Sequence, residues 1–182
     1  MLIGILSDTH DNTAVTAAAV DLLKRRGAEY FLHCGDVGSC LVLDYLAGLP
    51  AAFVWGNCDS GRVELQRYAE KLGITCCGAF GDLTLDGKRV ALMHGDDYRL
   101  KQRLLREQEY DYLCQGHTHV PQDIRVGRIH VINPGALHRA RPRTLGLLDT
   151  AKGAVEILRV EEDEGLRMSR GMEGEVRRRR SF

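Results

Sequence analysis

The chain predicts an α/β architecture of two β-sheets packed face to face, with helices on the outside. Two observations carry that expectation. The first half alternates short apolar runs with helix-like segments, which reads as βαβ units and a largely parallel sheet. The second half is rich in hairpins, which supply strands for a second sheet.

The elements follow in order. "LIGIL" (Leu2–Leu6) is a strand that precedes an Ala- and Leu-rich helix from Ala14 to Arg26, stopped at Gly27. "YFLHC" leads into the helix-like "LVLDYLAGL", and "AAFVW" into "VELQRYAEKLG". "LTLDGKRVALM" has alternating apolar residues on both sides of Asp86-Gly87, the signature of a tight primed turn. A charged helix from Tyr98 to Gln108 follows, then the apolar strand "DYLCQ". "DIRVGRIHVI" reads as a second hairpin around Gly127, and "TLGLLDT" and "AVEILRV" as two closing strands. From Glu161 onward the chain is charged and nearly devoid of large apolar residues, so it buries too little to offset the entropy of ordering. The expected organisation is one domain over 1–160 and a charged, flexible tail over 161–182.

Bulk properties exclude several classes. The chain has 182 residues, enough for one domain with a substantial core. Lys+Arg and Asp+Glu both total 25, so no global field draws nucleic acid or an anionic membrane. The Arg177–Arg180 run is offset by acidic residues before it, and a solvated tail is favoured over an RNA contact. "MLIGIL" is too short to span a membrane and lacks a basic flank. The six cysteines form no C-x-x-C pair, and with no export signal a reducing cytoplasm without structural disulfides is expected.

Metal-binding side-chain types recur at the strand ends. The first strand runs into Ser7-Asp8-Thr9-His10, the second ends in Gly35-Asp36 and the third in Gly56-Asn57. The first hairpin ends in His94-Gly95-Asp96, and "YLCQ" runs into Gly116-His117-Thr118-His119. The carboxyl ends of strands form the ligand edge of an open α/β sheet, so five motifs are expected to converge. In an extended segment, residues two apart share a side, so Asp8 with His10 and His117 with His119 can each present a pair. Neighbouring glycines let the backbone approach closely. Asp, Asn and His without thiolate suit Mn²⁺, Fe, Zn²⁺ or Ni²⁺. Seven such ligands exceed one tetrahedral ion and suit two ions sharing a bridging carboxylate.

Singly, each residue also has an ordinary structural role. Asp8 can cap a helix, although Asn12 or Thr13 suits that better; Asp36 can be a turn residue and His94 a buried histidine. The repeated order favours the metal reading. His33, His130 and His138 are read as ordinary histidines, His138 with a place at the cleft.

D-x-H, G-D, G-N, H-G and G-H-x-H, in that order, resemble the calcineurin-like metallophosphoesterases, and among them the small bacterial and archaeal phosphodiesterases. "VINPGA…RPRTLGLLD" fits the same branch, and the resemblance runs from Leu2 to Val160. It implies a four-layer αββα sandwich with two mixed β-sheets. It implies that Asp8, His10 and His119 hold one metal, that Asn57, His94 and His117 hold a second, and that Asp36 bridges both. Manganese is the expected ion, with nickel, iron or zinc also compatible. Asp36, Asn57 and His94 become the catalytic set.

The implied activity is hydrolysis of a small or nucleotide-like phosphodiester by a hydroxide held between two metals, with no covalent enzyme intermediate. Cys58 in "WGNCDS" is then not needed as a nucleophile. It stands where the wider superfamily often has a histidine proposed to protonate the leaving oxygen, and a thiol is a poor substitute, so substrates with good leaving groups are expected. Asp96 is a candidate to orient His94 or another ligand, with a plain surface acid as the equal alternative, and Ala136 replaces a serine common among relatives. Substrate contacts fall to Asn57, Cys58, His138, Arg139 and Arg143, with plain surface charge as the alternative for the arginines. Two rival functions share the fold: a phosphomonoesterase of the same mechanism, and a non-catalytic scaffold like a retromer subunit. The intact set of seven favours catalysis. The oligomeric state, monomer or homo-oligomer, is left open.

Overall fold

Alternation along β1 (Leu2–Leu6) sets the layering of the computed structural model, which describes residues 1–160. Ile3 and Ile5 face one core while Leu2 and Leu6 face another, because successive strand residues point to opposite faces. The chain continues through α1 (Thr13–Arg25), β2 (Tyr30–His33), α2 (Cys40–Asp44), β3 (Ala51–Phe53), α3 (Arg62–Leu72) and β4 (Thr75–Cys76). Then come β5 (Phe80–Leu85), β6 (Lys88–Met93), α4 (Tyr98–Glu107), β7 (Tyr112–Cys114), β8 (Gln122–Val126), β9 (Ile129–Asn133), β10 (Thr144–Asp149) and β11 (Ala154–Arg159).

The first sheet has the order β11-β10-β1-β2-β3-β4, and the second β5-β6-β7-β9-β8. β1 to β4 are parallel, with β10 antiparallel to β1 and β11 antiparallel to β10. In the second sheet β6, β7 and β9 are parallel, and β5 and β8 flank them antiparallel. Both sheets are therefore mixed, as expected.

Three cores make four layers. Ile3, Ile5, Leu32, Val54, Leu92, Cys114 and Ile132 fill the space between the sheets. Ala19, Leu23, Val42, Leu65 and Ala69 bring α1, α2 and α3 onto the outer face of the first sheet, against Leu6, Phe31 and Phe53. Leu104 of α4 joins Met93, Leu113 and Val131 on the outer face of the second. Each fully buried Ile or Leu contributes roughly 2 kcal/mol through apolar burial. Asp86 and Gly87 both have positive φ, 51° and 70°, as the primed turn between β5 and β6 requires.

Two details differ from the sequence expectation. The helix expected over "LVLDYLAGL" spans only Cys40–Asp44, because Gly48 adopts φ 73° and Pro50 disfavours a helical residue before it. The two-residue β4 has no counterpart in the sequence pattern; it is too short for periodicity and exists through pairing with β3. The closing strands, which the sequence assigned to neither sheet, join the first, with Gly4 opposite Leu147. Among the described residues no helix is long and apolar enough to cross a membrane. All six cysteines are free thiols. The expected charged tail lies outside the described residues.

Candidate metal centre

The strand ends of the two sheets meet at one edge. The segment after β1 runs alongside the segment after β2: Asp8 N donates to Gly35 O (3.1 Å), His10 N to Asp36 O (3.0 Å) and Asp11 N to Val37 O (3.1 Å). The second sheet joins through His117 N to Asp8 Oδ2 (3.1 Å), while within that sheet Gly116 N donates to His94 O (2.8 Å). The approach is too close for side chains at two positions. A Cβ on Gly56 would lie 2.0 Å from Asp36 Oδ1, and one on Gly116 would lie 1.9 Å from Ser7 Oγ.

The local backbone corrects the sequence reading. Asp8, His10, His117 and His119 have φ of 54°, 41°, 69° and 59°, so neither D-x-H nor H-x-H is extended. Asp36, at φ 55°, joins them. Left-handed conformations in non-glycine residues each cost of order 1 kcal/mol and concentrate at functional sites. The consequence is that His117 and His119 part company. His119 stands with Asp8 and His10, whereas the His117 ring packs edge-on against His94, centroids 5.0 Å apart.

Three donor groups have ligand atoms within 4.8 Å of one another: Asp8, His10 and His119; Asp8, Asp36 and His94; His10, Asp36 and Cys58. Asp8, Asp36 and His94 form a buried floor, while His10 and His119 are half-buried and Asn57 and His117 exposed at the rim. His117 belongs to none of these groups, and Asn57 Oδ1 lies 3.0 Å from His94 Nε2.

The donor set fits a divalent cation. His94 Nδ1–H donates to Cys34 O (2.8 Å), which turns Nε2 toward the acceptor oxygens Asn57 Oδ1 and, at 3.3 Å, Asp36 Oδ2. Acceptors facing one another need a proton or a cation between them. Asp8 Oδ1 is buried and receives no hydrogen bond, with His119 Nε2 facing it at 3.2 Å. Two buried carboxylates side by side impose the same demand. Burial alone would raise the Asp36 carboxyl, but the His94 contact and the Cys58 N–H outweigh it and hold it well below the usual carboxylate range. Burial would likewise lower His94, yet Asp36 and the Cys34 carbonyl hold its imidazolium above the ordinary range.

Around this centre the structure uses Asp59 and Asn133, for which sequence reasoning found no role, and His33, an ordinary structural histidine as expected. Asp59, buried, accepts from Gly38 N (2.9 Å) and Gly56 N (2.8 Å), bracing the segments that carry Asp36 and Asn57. Asn133, also buried, donates to Gly116 O (2.8 Å) and Thr118 Oγ1 (3.0 Å) and accepts from Gly135 N (2.9 Å). His33 accepts from Gly35 N at Nδ1 (3.2 Å), leaving Nε2–H for Thr9 Oγ1 (2.9 Å), whose hydroxyl donates to Val37 O (2.9 Å). The signals were present as the Asp of "NCD", the Asn of "NPG" and the His of "HCGD".

Other expectations fall elsewhere. Asp96 is exposed and makes no contact with His94, which Cys34 O orients instead. Asp8 caps no helix; Asn12 precedes α1, and its amide goes to Leu137 O (3.1 Å). His130 pairs with Asp123 and takes no part in the centre. His138 lies against His10, ring centroids 5.2 Å apart, and burial together with His10 and Arg139 lowers its pKa. Cys58 is exposed, and partial desolvation together with Asp36 pushes its thiol up.

This four-layer fold with Asp and His clusters at its strand ends defines the metallophosphoesterase class. A family model described as the calcineurin-like phosphoesterase superfamily domain matches residues 1–153, and the chain belongs to that family. It is 29% identical to phosphodiesterase MJ0936 of Methanocaldococcus jannaschii over 157 residues, covering 84% of this chain and 95% of that protein. It is 27% identical to phosphodiesterase YfcE of Escherichia coli K12 over 161 residues, covering 79% and 84%. A solved structure described as a novel archaeal phosphodiesterase superposes with a TM-score of 0.82 at 27% identity, covering 87% of this chain and 99% of that one. Vps29 of Entamoeba histolytica shares the fold, with a TM-score of 0.62 at 21% identity, covering 90% and 100%. The family implies divalent metal cofactors, and the clustered donors are candidates to hold them.

Proposed function

We propose that this phosphoesterase is a metal-dependent phosphodiesterase acting on a small or nucleotide-like diester at a centre of two divalent ions, manganese first among them. Asp8, His10 and His119 would hold one ion, and Asn57, His94 and His117 the other, with Asp36 shared. The observation that carries this reading is the convergence of ligand atoms of Asp8, Asp36 and His94 within 4.8 Å of one another on a buried floor. When bound, such ions supply Lewis-acid stabilisation of phosphoryl oxygens and lower the pKa of water.

The chain's own groups supply orientation. Cys34 O fixes the His94 tautomer, and Cys58 N–H occupies Asp36 Oδ1, leaving Oδ2 toward His10 and His94 at 3.4 and 3.3 Å. The Cys58 thiol, with its pKa raised, stays protonated near neutral pH, which argues against an attacking thiolate. His138, Arg139 and Arg143 line a cleft beside the centre and, with Asn57 and Cys58, would meet substrate. Six unpaired thiols are compatible with action in a reducing compartment, which we take to be the cytoplasm.

The test is hydrolysis of bis(p-nitrophenyl) phosphate by metal-stripped protein with Mn²⁺ restored, beside Asp36→Asn and an aryl monoester control. Metal-dependent turnover that prefers the diester and disappears in Asp36→Asn is the expected result. Faster monoester hydrolysis would make the protein a phosphomonoesterase. No turnover under any divalent ion would overturn the catalytic reading.

A further inference from the structure

An open cleft of about 760 Å³ lies beside the candidate metal centre, bounded by His10 and Asp11 on one side and by the loop 138–143 on the other. We propose that this cleft is a second anion subsite, which receives a phosphate group that the substrate carries in addition to its scissile diester. The inference rests on the phosphodiesterase reading above and narrows its substrate class to nucleotide-like phosphodiesters bearing a further phosphomonoester.

Three observations carry it. First, the loop supplies Arg139, Arg141 and Arg143 to the cleft wall. Some arginines of the fold are paired with carboxylates, as Arg26 is with Glu156, Arg89 with Asp82 and Glu109, and Arg128 with Asp111. Arg139 and Arg141 are exposed and make no ion pair among the described residues. Asp11, the carboxylate on the wall, is engaged by the Ser39 hydroxyl.

Second, the loop is fastened to the centre. Leu137 N donates to Ser7 O (3.3 Å), His138 N to Asp8 O (3.0 Å), and Asn12 Nδ2 to Leu137 O (3.1 Å). The start of the loop that carries the arginines is thereby held beside Asp8. Third, Arg139 sits at φ 48°, a conformation that a non-glycine residue adopts only where its surroundings enforce it.

A guanidinium matches phosphate with two parallel N–H donors, and a phosphomonoester dianion gains more from paired cations than a diester monoanion does. A substrate whose diester reaches Asp8 and Asp36 would lay a neighbouring phosphate against this loop.

The test titrates thymidine 3′,5′-bisphosphate and thymidine 5′-monophosphate against the full-length, metal-free protein in low-salt, phosphate-free buffer. The bisphosphate is expected to bind about tenfold tighter or more. That ratio should fall below about threefold in Arg139→Ala/Arg141→Ala and be largely kept in Arg139→Lys/Arg141→Lys. Equal affinities in the wild type, or a ratio that the double alanine variant leaves intact, would overturn the subsite. A parallel assay offers the Mn²⁺-loaded protein the p-nitrophenyl diester of thymidine 5′-phosphate, with and without a 3′-phosphate. Failure to hydrolyse either ester while the binding ratio holds removes the phosphodiesterase reading and leaves the subsite. Hydrolysis of both with equal binding does the reverse.

Discussion

The backbone N–H of Cys58 donates to Asp36 Oδ1 across 2.8 Å. What the centre takes from Cys58 is therefore a main-chain donor, and the thiol is turned toward solvent beside Asn57 Nδ2. Cys58→Ser should lose less than about fivefold in diester turnover, whereas Cys58→Pro, lacking that N–H, should lose about 10- to 100-fold in metal affinity. Calorimetric titration with Mn²⁺, run beside the kinetics, checks both halves.

Asp59 holds two segments with one carboxylate, through Gly38 N and Gly56 N. Asp59→Ala strands the buried Gly56 N–H and removes the partner of the more exposed Gly38 N–H, and should lower the unfolding free energy by about 1–3 kcal/mol in urea titrations. Asp59→Asn, which keeps one acceptor, should fall between the two.

Gly56→Ala would place its methyl 2.0 Å from Asp36 Oδ1. The carboxylate must move, so metal affinity should fall by at least about tenfold. Gly48→Ala is the control: its Cβ meets nothing within 4 Å and carries only the strain of φ 73°. It should cost about 1 kcal/mol of stability and leave metal binding alone.

Burial lowers His33 from 6.5 to about 4, so the folded protein keeps it neutral where the unfolded chain would protonate it. The folded pKa is depressed, so its stabilisation is complete above the unfolded value. It is lost as pH falls from about 6.5 toward 4, a change of order 3 kcal/mol. Denaturant titrations across that window should show the slope in wild type and a reduced one in His33→Gln. An NMR titration giving His33 a pKa near 6.5 would refute this account.

Divalent metal should stabilise the fold even without substrate, because it replaces the proton demand of Asp8, Asp36 and His94. At 100 times the dissociation constant the gain is about 2.7 kcal/mol. Thermal melts should shift upward with Mn²⁺ in wild type and not in Asp36→Asn.

Much of this protein is legible along the chain. Strand and helix periods reveal themselves locally, and a strand must end in a loop, so local pattern alone places Asp8, Asp36, Asn57, His94 and His117 at strand ends. The order of those motifs carries the family. Asp86-Gly87 names its own turn, because few dipeptides tolerate two positive φ values.

What the tertiary structure alone decided are the relations between residues distant in sequence. That His119 stands with Asp8 while His117 turns to His94 depends on left-handed backbone at four positions, which no period announces. Asp59 reaches Gly38 across 21 positions and Asn133 reaches Gly116 across 17, and neither pairing has a local signature. β10 lies on β1 because burying Leu145 and Leu148 there completes two cores at once. Local sequence specifies which groups are available at the strand ends. Packing decides which of them face one another, since hydrogen bonds and burial reward contacts without regard to their separation along the chain.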